Sequence, residues 1–146
     1  MLISNTKNLS VDLRKQHNQM KVIIVGGVAG GASCAARLRR LDEKAQILMV
    51  ERGPYVSYAN CGLPYHVGGV IEKESSLLVA TADTFRFMFN IDVRTHCEAV
   101  RILPDSKTIE LRDVLTGEVT SESYDKLVLS PGAQSVSFSE KTYLPT

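Results

Sequence analysis

Val22-Ile23-Ile24-Val25-Gly26-Gly27-Val28-Ala29-Gly30-Gly31-Ala32-Ser33-Cys34-Ala35-Ala36-Arg37-Leu38-Arg39-Arg40-Leu41 is the stretch that decides the fold. Val22–Val25 is apolar without interruption, the pattern of a strand buried on both faces of a parallel sheet. Gly26–Gly31 then reads as a glycine-rich turn. Ala32–Leu41, rich in alanine and arginine, reads as a helix. Ile47–Val50 repeats the buried-strand pattern and is closed by Glu51. Strand, helix and strand fit within about thirty residues, the length of one βαβ unit with its crossover.

Each small residue in the turn has a mechanical reason. Gly26 lets the chain leave the strand sharply. The small residues after it keep side chains away from a pyrophosphate, which the free N–H groups and dipole of a helix start attract. Gly31, with Ala35 one turn later, lets the helix pack closely on the sheet. An acidic residue about 20 positions beyond such a turn accepts hydrogen bonds from a ribose, and Glu51 stands there. Val28 occupies the place where this fingerprint normally has its second glycine. Nucleotide binding is the reading of the pattern; a tight turn serving packing alone is its rival.

Outward from this unit, residues 1–19 are polar and read as an extension, with Met20 ahead of the first strand as an alternative natural start. Gly53–Val70 is irregular. Ala82–Phe89 reads as a short helix capped by Thr81. Asp92–Thr95, Ala99–Leu103, Thr108–Val114 and Val119–Tyr124 read as strands. The turns Pro104-Asp105-Ser106 and Thr116-Gly117 make the last three an antiparallel meander. Leu127–Leu129 is a further buried strand, and residues 134–146 have no periodicity. The expected fold is therefore α/β: a parallel sheet plus a meander.

A chain of 146 residues is the size of one ordinary domain, and 44% hydrophobic with 23% charged residues is the balance of a soluble globular protein. A net charge of +1 gives no electrostatic footprint for nucleic acid or a membrane surface. Met1–Gln19 has no apolar core of a secretory signal, and no stretch is long and apolar enough to span a bilayer. A cytoplasmic location is expected. Cys34, Cys61 and Cys97 form no CxxC pair and do not combine with the histidines at zinc-site spacing, so no metal is expected. Any cysteine that matters acts singly.

Ser57-Tyr58-Ala59-Asn60-Cys61-Gly62-Leu63-Pro64-Tyr65 is the segment where one could. Cys61 follows an irregular loop at the start of a helical turn, a setting that lowers thiol pKa values from about 8.5 to roughly 3.5–7.5. A buried structural cysteine is the alternative. Cys34 reads as packing, and Cys97, His96 and His66 receive no role.

Val22–Arg40 together with Ser57–Gly69 resembles the coenzyme A disulfide reductases, including rhodanese-bearing forms, within the pyridine nucleotide-disulfide oxidoreductase family. Tyr124-Asp125-Lys126-Leu127-Val128-Leu129-Ser130-Pro131-Gly132-Ala133 resembles that family's strand ending in a (T/S)xGA turn against the flavin. The resemblance implies that residues 20–133 are the first part of a Rossmann-like FAD-binding domain, incomplete by itself, with 134–146 a divergent tail. It implies FAD as cofactor, with Gly26, Gly27, Val28, Ala29, Gly30 and Gly31 around its pyrophosphate. Glu51, Arg52 and Ala99 would lie at the adenosine end, and Ser130, Pro131 and Gly132 near the flavin. It implies Cys61 as the redox cysteine facing the ring, and Ser33, Arg37, Arg40, Ser57 and Asn60 as contacts for coenzyme A. As i and i+3 neighbours on a helix, Arg37 and Arg40 could pair with phosphates, or simply form a solvated basic face.

The implied reaction is reduction of a coenzyme A disulfide or persulfide by NAD(P)H through FAD and Cys61, in a homodimer when complete. Two alternatives accompany it. One is an NADH oxidase or peroxidase in which the cysteine becomes a sulfenic acid. The other is a fragment without turnover, since the chain carries one glycine-rich βαβ unit and no second.

Overall fold

A computed structural model describes residues 19–133. β1 (Lys21–Val25) leads through the glycine turn into α1 (Ala29–Leu41) and on to β2 (Gln46–Val50). The helix begins three residues earlier than the sequence reading placed it. Ala29, Gly30 and Gly31 are its first turn, leaving Gly26–Val28 as the turn proper. A long connection follows: a 3-10 turn at Asn60–Gly62, the short helix α2 (Leu63–Val67), a second 3-10 turn at Glu74–Leu77, and α3 (Ala82–Phe89). β3 (Asp92–Arg94), β4 (Cys97–Leu103), β5 (Thr108–Asp113), β6 (Val119–Ser123) and β7 (Lys126–Leu129) complete the chain.

The strands form two sheets. One is four-stranded with order β3-β2-β1-β7, and every pairing in it is parallel. The other is the antiparallel meander β4-β5-β6. Strand residues point alternately to opposite faces, so one apolar run feeds two cores. Val22 and Ile24 pack with Ala32, Ala35, Met49, Phe85 and Val93 on the helix side. Ile23 packs with Leu48, Val50, Ile109 and Leu111 on the meander side. A fully buried aliphatic side chain stabilises by about 1.5–3 kcal/mol, which explains why the run tolerates no polar residue.

Local chemistry fixes the remaining elements. Thr81 caps α3 in a reciprocal capping box with Thr84, the Thr84 amide donating to the Thr81 hydroxyl at 3.1 Å. Asn90, at φ 50°, ends that helix in the left-handed conformation that favours Asn after Gly. Arg39 is a structural residue, donating to the carbonyls of Phe89, Asp42, Glu43 and Asn90. Glu122 ties the two sheets together. Its carboxylate accepts from Lys21 Nζ at 2.6 Å and from Arg94 Nη2 at 2.9 Å. The expected extension (1–19) and divergent tail (134–146) lie outside the described residues, apart from Gln19.

Candidate functional site

The site is organised by the turn Gly26–Val28, which stands between two grooves. Its tightness comes from contacts that exclude side chains. Gly26 has φ +93°, and a Cβ there would overlap the Ser130 carbonyl. A Cβ on Gly27 would stand 2.7 Å from Val56 Cγ1. A Cβ on Gly31 would overlap the Gly26 carbonyl oxygen and lie 2.9 Å from Ser130 Oγ. Gly30 differs, because its Cβ would meet only Ser130 Cβ, at 3.4 Å. Three glycines are therefore fixed by packing, and the fourth faces outward on the first turn of α1.

Glu51 braces the turn from the end of β2. Its Oε2 accepts from the Gly27 amide at 2.8 Å, and its Oε1 accepts from the Gly53 amide at 2.8 Å. Ser130 braces the other side. Its hydroxyl donates toward the Val25 carbonyl at 3.0 Å and lies 3.2 Å from the Gly26 carbonyl. That side chain is turned into the turn, whereas its neighbours Pro131 and Gly132 face the first groove.

This first groove, about 300 Å³, lies at the carboxyl ends of β1 and β2, against the start of β4. Gly26, Glu51, Arg52, Ala99, Pro131 and Gly132 line it together. Ligands of open α/β sheets bind at such strand ends. The pairing of β4 with β5 shifts register between Ala99 and Arg101, so the ladder is interrupted beside the groove. Arg52 and Glu98 also line it, 3.8 Å apart, and Arg112 hydrogen-bonds the other Glu98 oxygen. The Arg112 hydrogen bond, aided by the charges of Arg112 and Arg52, holds the Glu98 carboxyl below the usual glutamate range. Cys97, at the groove floor, is buried, and that burial pushes its thiol above the ordinary value.

The second groove, about 450 Å³, lies on the opposite side of the turn and is mostly apolar. Val28, Ala29, Ala32, Ser33 and Ala36 of α1 and its entry form one wall. Ser57–Cys61 forms another, with Val79, Ala80, Phe85 and Phe89 behind. Ser33, Ser57, Asn60 and Cys61 are thereby brought together from distant parts of the sequence. Cys61 is exposed, Cys34 half-buried and Cys97 buried, so the sequence's single-thiol segment carries the accessible sulfur among the described residues. Arg37 and Arg40 do not line this groove. They are exposed on α1, one helical turn beyond Ser33 and Ala36 on the same side by their i+4 spacing.

The thiol segment is anchored to the glycine turn. The Ser57 amide donates to the Gly27 carbonyl at 2.8 Å, and the Ser57 carbonyl accepts from Val79 at 3.0 Å and from Ala80 at 3.4 Å. Ser57 has φ +49°, a conformation that non-glycine residues seldom adopt and that its hydrogen bonds hold. Val56, buried against Gly27, was not singled out by the sequence, nor were Val79, Phe85 and Phe89. The signal for Val56 lay in Gly27 itself, a glycine without a positive φ that marks close approach. The others carried none beyond ordinary hydrophobicity.

Comparison with known proteins agrees with this architecture. The family model for pyridine nucleotide-disulphide oxidoreductases matches residues 20–142. The chain belongs to that family. Its members are flavin-dependent and use FAD with a pyridine nucleotide. The coenzyme A disulfide reductase of Staphylococcus epidermidis is 43% identical over 113 residues, which is 77% of this chain and 26% of that protein. The crystal structure of reduced Bacillus anthracis CoADR-RHD superposes with a TM-score of 0.81 at 52% identity, covering 84% of this chain and 22% of that one. An NAD-dependent persulfide reductase from A. fulgidus gives 0.76 at 38% identity over 80% of this chain and 22% of that one. The chain thus spans about a quarter of the length of the curated relatives it matches.

Proposed function

We propose that the chain is the cofactor-and-thiol portion of a cytoplasmic oxidoreductase that reduces coenzyme A disulfide, or a related low-molecular-weight disulfide or persulfide, with Cys61 as the reacting sulfur. The observation that carries this reading is the glycine turn between two grooves, with six of the expected cofactor residues, Gly26, Glu51, Arg52, Ala99, Pro131 and Gly132, on one side and Ser33, Ser57, Asn60 and Cys61, beside Val28 and Ala29, on the other. The relatives named for coenzyme A disulfide or persulfide reduction are 43%, 52% and 38% identical, against 26% for a water-forming NADH oxidase of similar fold, which favours a coenzyme A or persulfide substrate over oxygen.

The residues fit FAD. The α1 start has no side-chain cap and no acidic residue in its first turn, so its N–H groups remain available to a pyrophosphate. Gly26, Glu51, Arg52, Ala99, Pro131 and Gly132 would hold the adenosine half and the approach to the ring. Glu51, braced by two amides, presents a fixed carboxylate edge rather than a mobile one. When bound, FAD supplies the two electrons taken from NAD(P)H.

The chain's own chemistry is thiol exchange. The Cys61 thiolate attacks one sulfur of the substrate disulfide, forming a Cys61 mixed disulfide and releasing one thiolate. Two electrons and one proton from solvent then cleave that bond, returning the Cys61 thiolate and the second thiol. Ala32, Ala36, Val79 and Phe85 give the groove that Cys61 shares an apolar lining, and Ser57 and Asn60 offer hydrogen bonds to the incoming group. Arg37 and Arg40, farther along α1, suit the phosphates of a long substrate. Three free cysteines with no disulfide among the described residues are the usual state in a reducing compartment, which supports the cytoplasmic assignment. Homodimerisation is proposed for the complete enzyme alone.

The test is the visible spectrum of the purified chain after incubation with FAD and desalting, followed by intact mass after exposure to coenzyme A disulfide. The expected result is about one retained flavin per chain and a coenzyme A adduct that Cys61→Ser abolishes. A colourless protein would remove the cofactor assignment from this chain. An adduct that survives in Cys61→Ser would remove the assignment of the sulfur.

A further inference from the structure

We infer that Glu98 is a positioning residue for the cofactor: it holds Arg52 at the rim of the first groove, where the guanidinium receives the phosphate-bearing half of an adenine nucleotide. This rests on the reading of that groove as the nucleotide site. Glu98 and Arg112 are directly opposed across β4 and β5, and the 3.8 Å contact of Glu98 with Arg52 extends that pair to the groove.

The charges explain the need for both partners. Arg52 is the one cationic side chain among the described residues that line the groove, beside two carboxylates, Glu51 and Glu98. Glu51 is committed to the Gly27 and Gly53 amides. An unpaired Glu98 would repel a phosphate. Arg112, which does not line the groove, offsets the Glu98 charge and leaves that of Arg52 available. Arg52 is 60% exposed on its side chain, so without the tether it would spread over solvent rotamers.

Charge and positioning predict opposite signs for one substitution. Glu98→Ala removes a negative charge from the groove, so charge alone predicts tighter nucleotide binding. Loss of the tether predicts weaker binding, by about three-fold, in the range of exposed ion pairs. The experiment titrates the chain with FAD by fluorescence quenching and with ADP by calorimetry, with melting curves to confirm folding. The variants are Glu98→Ala, Arg52→Met and the double substitution. Positioning predicts that Arg52→Met weakens both ligands about ten-fold and that Glu98→Ala adds nothing in its presence. Should Glu98→Ala melt early, Glu98→Gln, which keeps one acceptor and loses the charge, tests the same sign. Unchanged or tighter binding by Glu98 variants of a chain that binds FAD overturns the inference and leaves the groove assignment standing. A weakening that persists unchanged in Arg52→Met also overturns it. Binding of neither FAD nor ADP by the unaltered chain overturns both.

Discussion

Replacing Gly31 and Gly30 in turn, each by alanine, separates packing from ligand approach within one helical turn. At Gly31 the added methyl meets the Gly26 carbonyl and Ser130 Oγ. Neither can give way cheaply. The Gly26 amide is bonded to the Val50 carbonyl at 2.9 Å, and Ser130 is bonded to Val25 by both its amide and its hydroxyl. The start of α1 must therefore withdraw from the sheet. Overpacking of this kind costs about 1–3 kcal/mol or more, and a backbone obstacle belongs at the upper end. Alanine returns about 1 kcal/mol of helix propensity, leaving a net loss of about 2 kcal/mol. For a domain of this size that lowers Tm by roughly 6–12 °C. At Gly30 the methyl meets Ser130 Cβ at ordinary contact distance and is otherwise exposed. The flavin-free chain should then melt unchanged or up to a few degrees higher, because propensity alone acts there. Flavin affinity should fall about ten-fold or more in Gly30→Ala, since the methyl stands where a pyrophosphate must approach the helix start. Circular dichroism melts of the flavin-free proteins and flavin titrations provide both readouts. If Gly30→Ala melts as early as Gly31→Ala, the close approach of α1 to the turn is not what makes glycine necessary, and the packing argument fails.

Two further predictions concern stability. Burial disfavours ionised Glu122, but the hydrogen bonds and charges of Lys21 and Arg94 outweigh it and hold its carboxyl below the usual range. A depressed folded value means stabilisation present above the unfolded value and lost as pH falls through the folded one, so denaturant midpoints should drop from roughly pH 5 downward and Glu122→Gln should flatten that slope; an identical slope in the variant refutes the assignment. Thr81→Ala removes the α3 cap and should cost about 1 kcal/mol by urea unfolding, whereas Thr81→Ser should cost less than half of that; equal losses would mean that the hydroxyl cap is not responsible.

The elements legible from sequence were those whose cause is local. The capped α3 matches its expected bounds of Ala82–Phe89, because Thr81 and the apolar positions Phe85 and Phe89 specify it within one segment. The meander was legible from its turns, although β4 begins at Cys97 rather than Ala99, since Cys97 and Glu98 pair with residues the sequence could not align. The early start of α1 was not legible, because glycines at its first turn lower helix propensity and only the contact with Ser130 explains them. The grooves divide in the same way. The glycine turn stood out by composition, and the role expected of Cys61 rested on the resemblance of its segment, whereas Val56, Phe85 and Glu98 meet neighbours more than a dozen residues distant, which no short motif encodes.

The arrangement also explains how the two grooves are held in register. Gly27 is the shared point. Its amide is taken by Glu51, which lines the first groove, and its carbonyl is taken by Ser57, which lines the second. Its missing side chain admits Val56, which leads into the thiol segment. A side chain at residue 27 would push Val56 outward and pull on the Ser57 amide, and the same shift would loosen the Glu51 carboxylate. Damage at this residue should therefore appear in both grooves at once, as weaker flavin retention and as altered Cys61 reactivity. Damage at Glu51 or Ser57 should begin in one groove and reach the other only through the turn. The two grooves are thus coupled through the backbone and the close packing of one residue, Gly27, which explains why a side chain is excluded there.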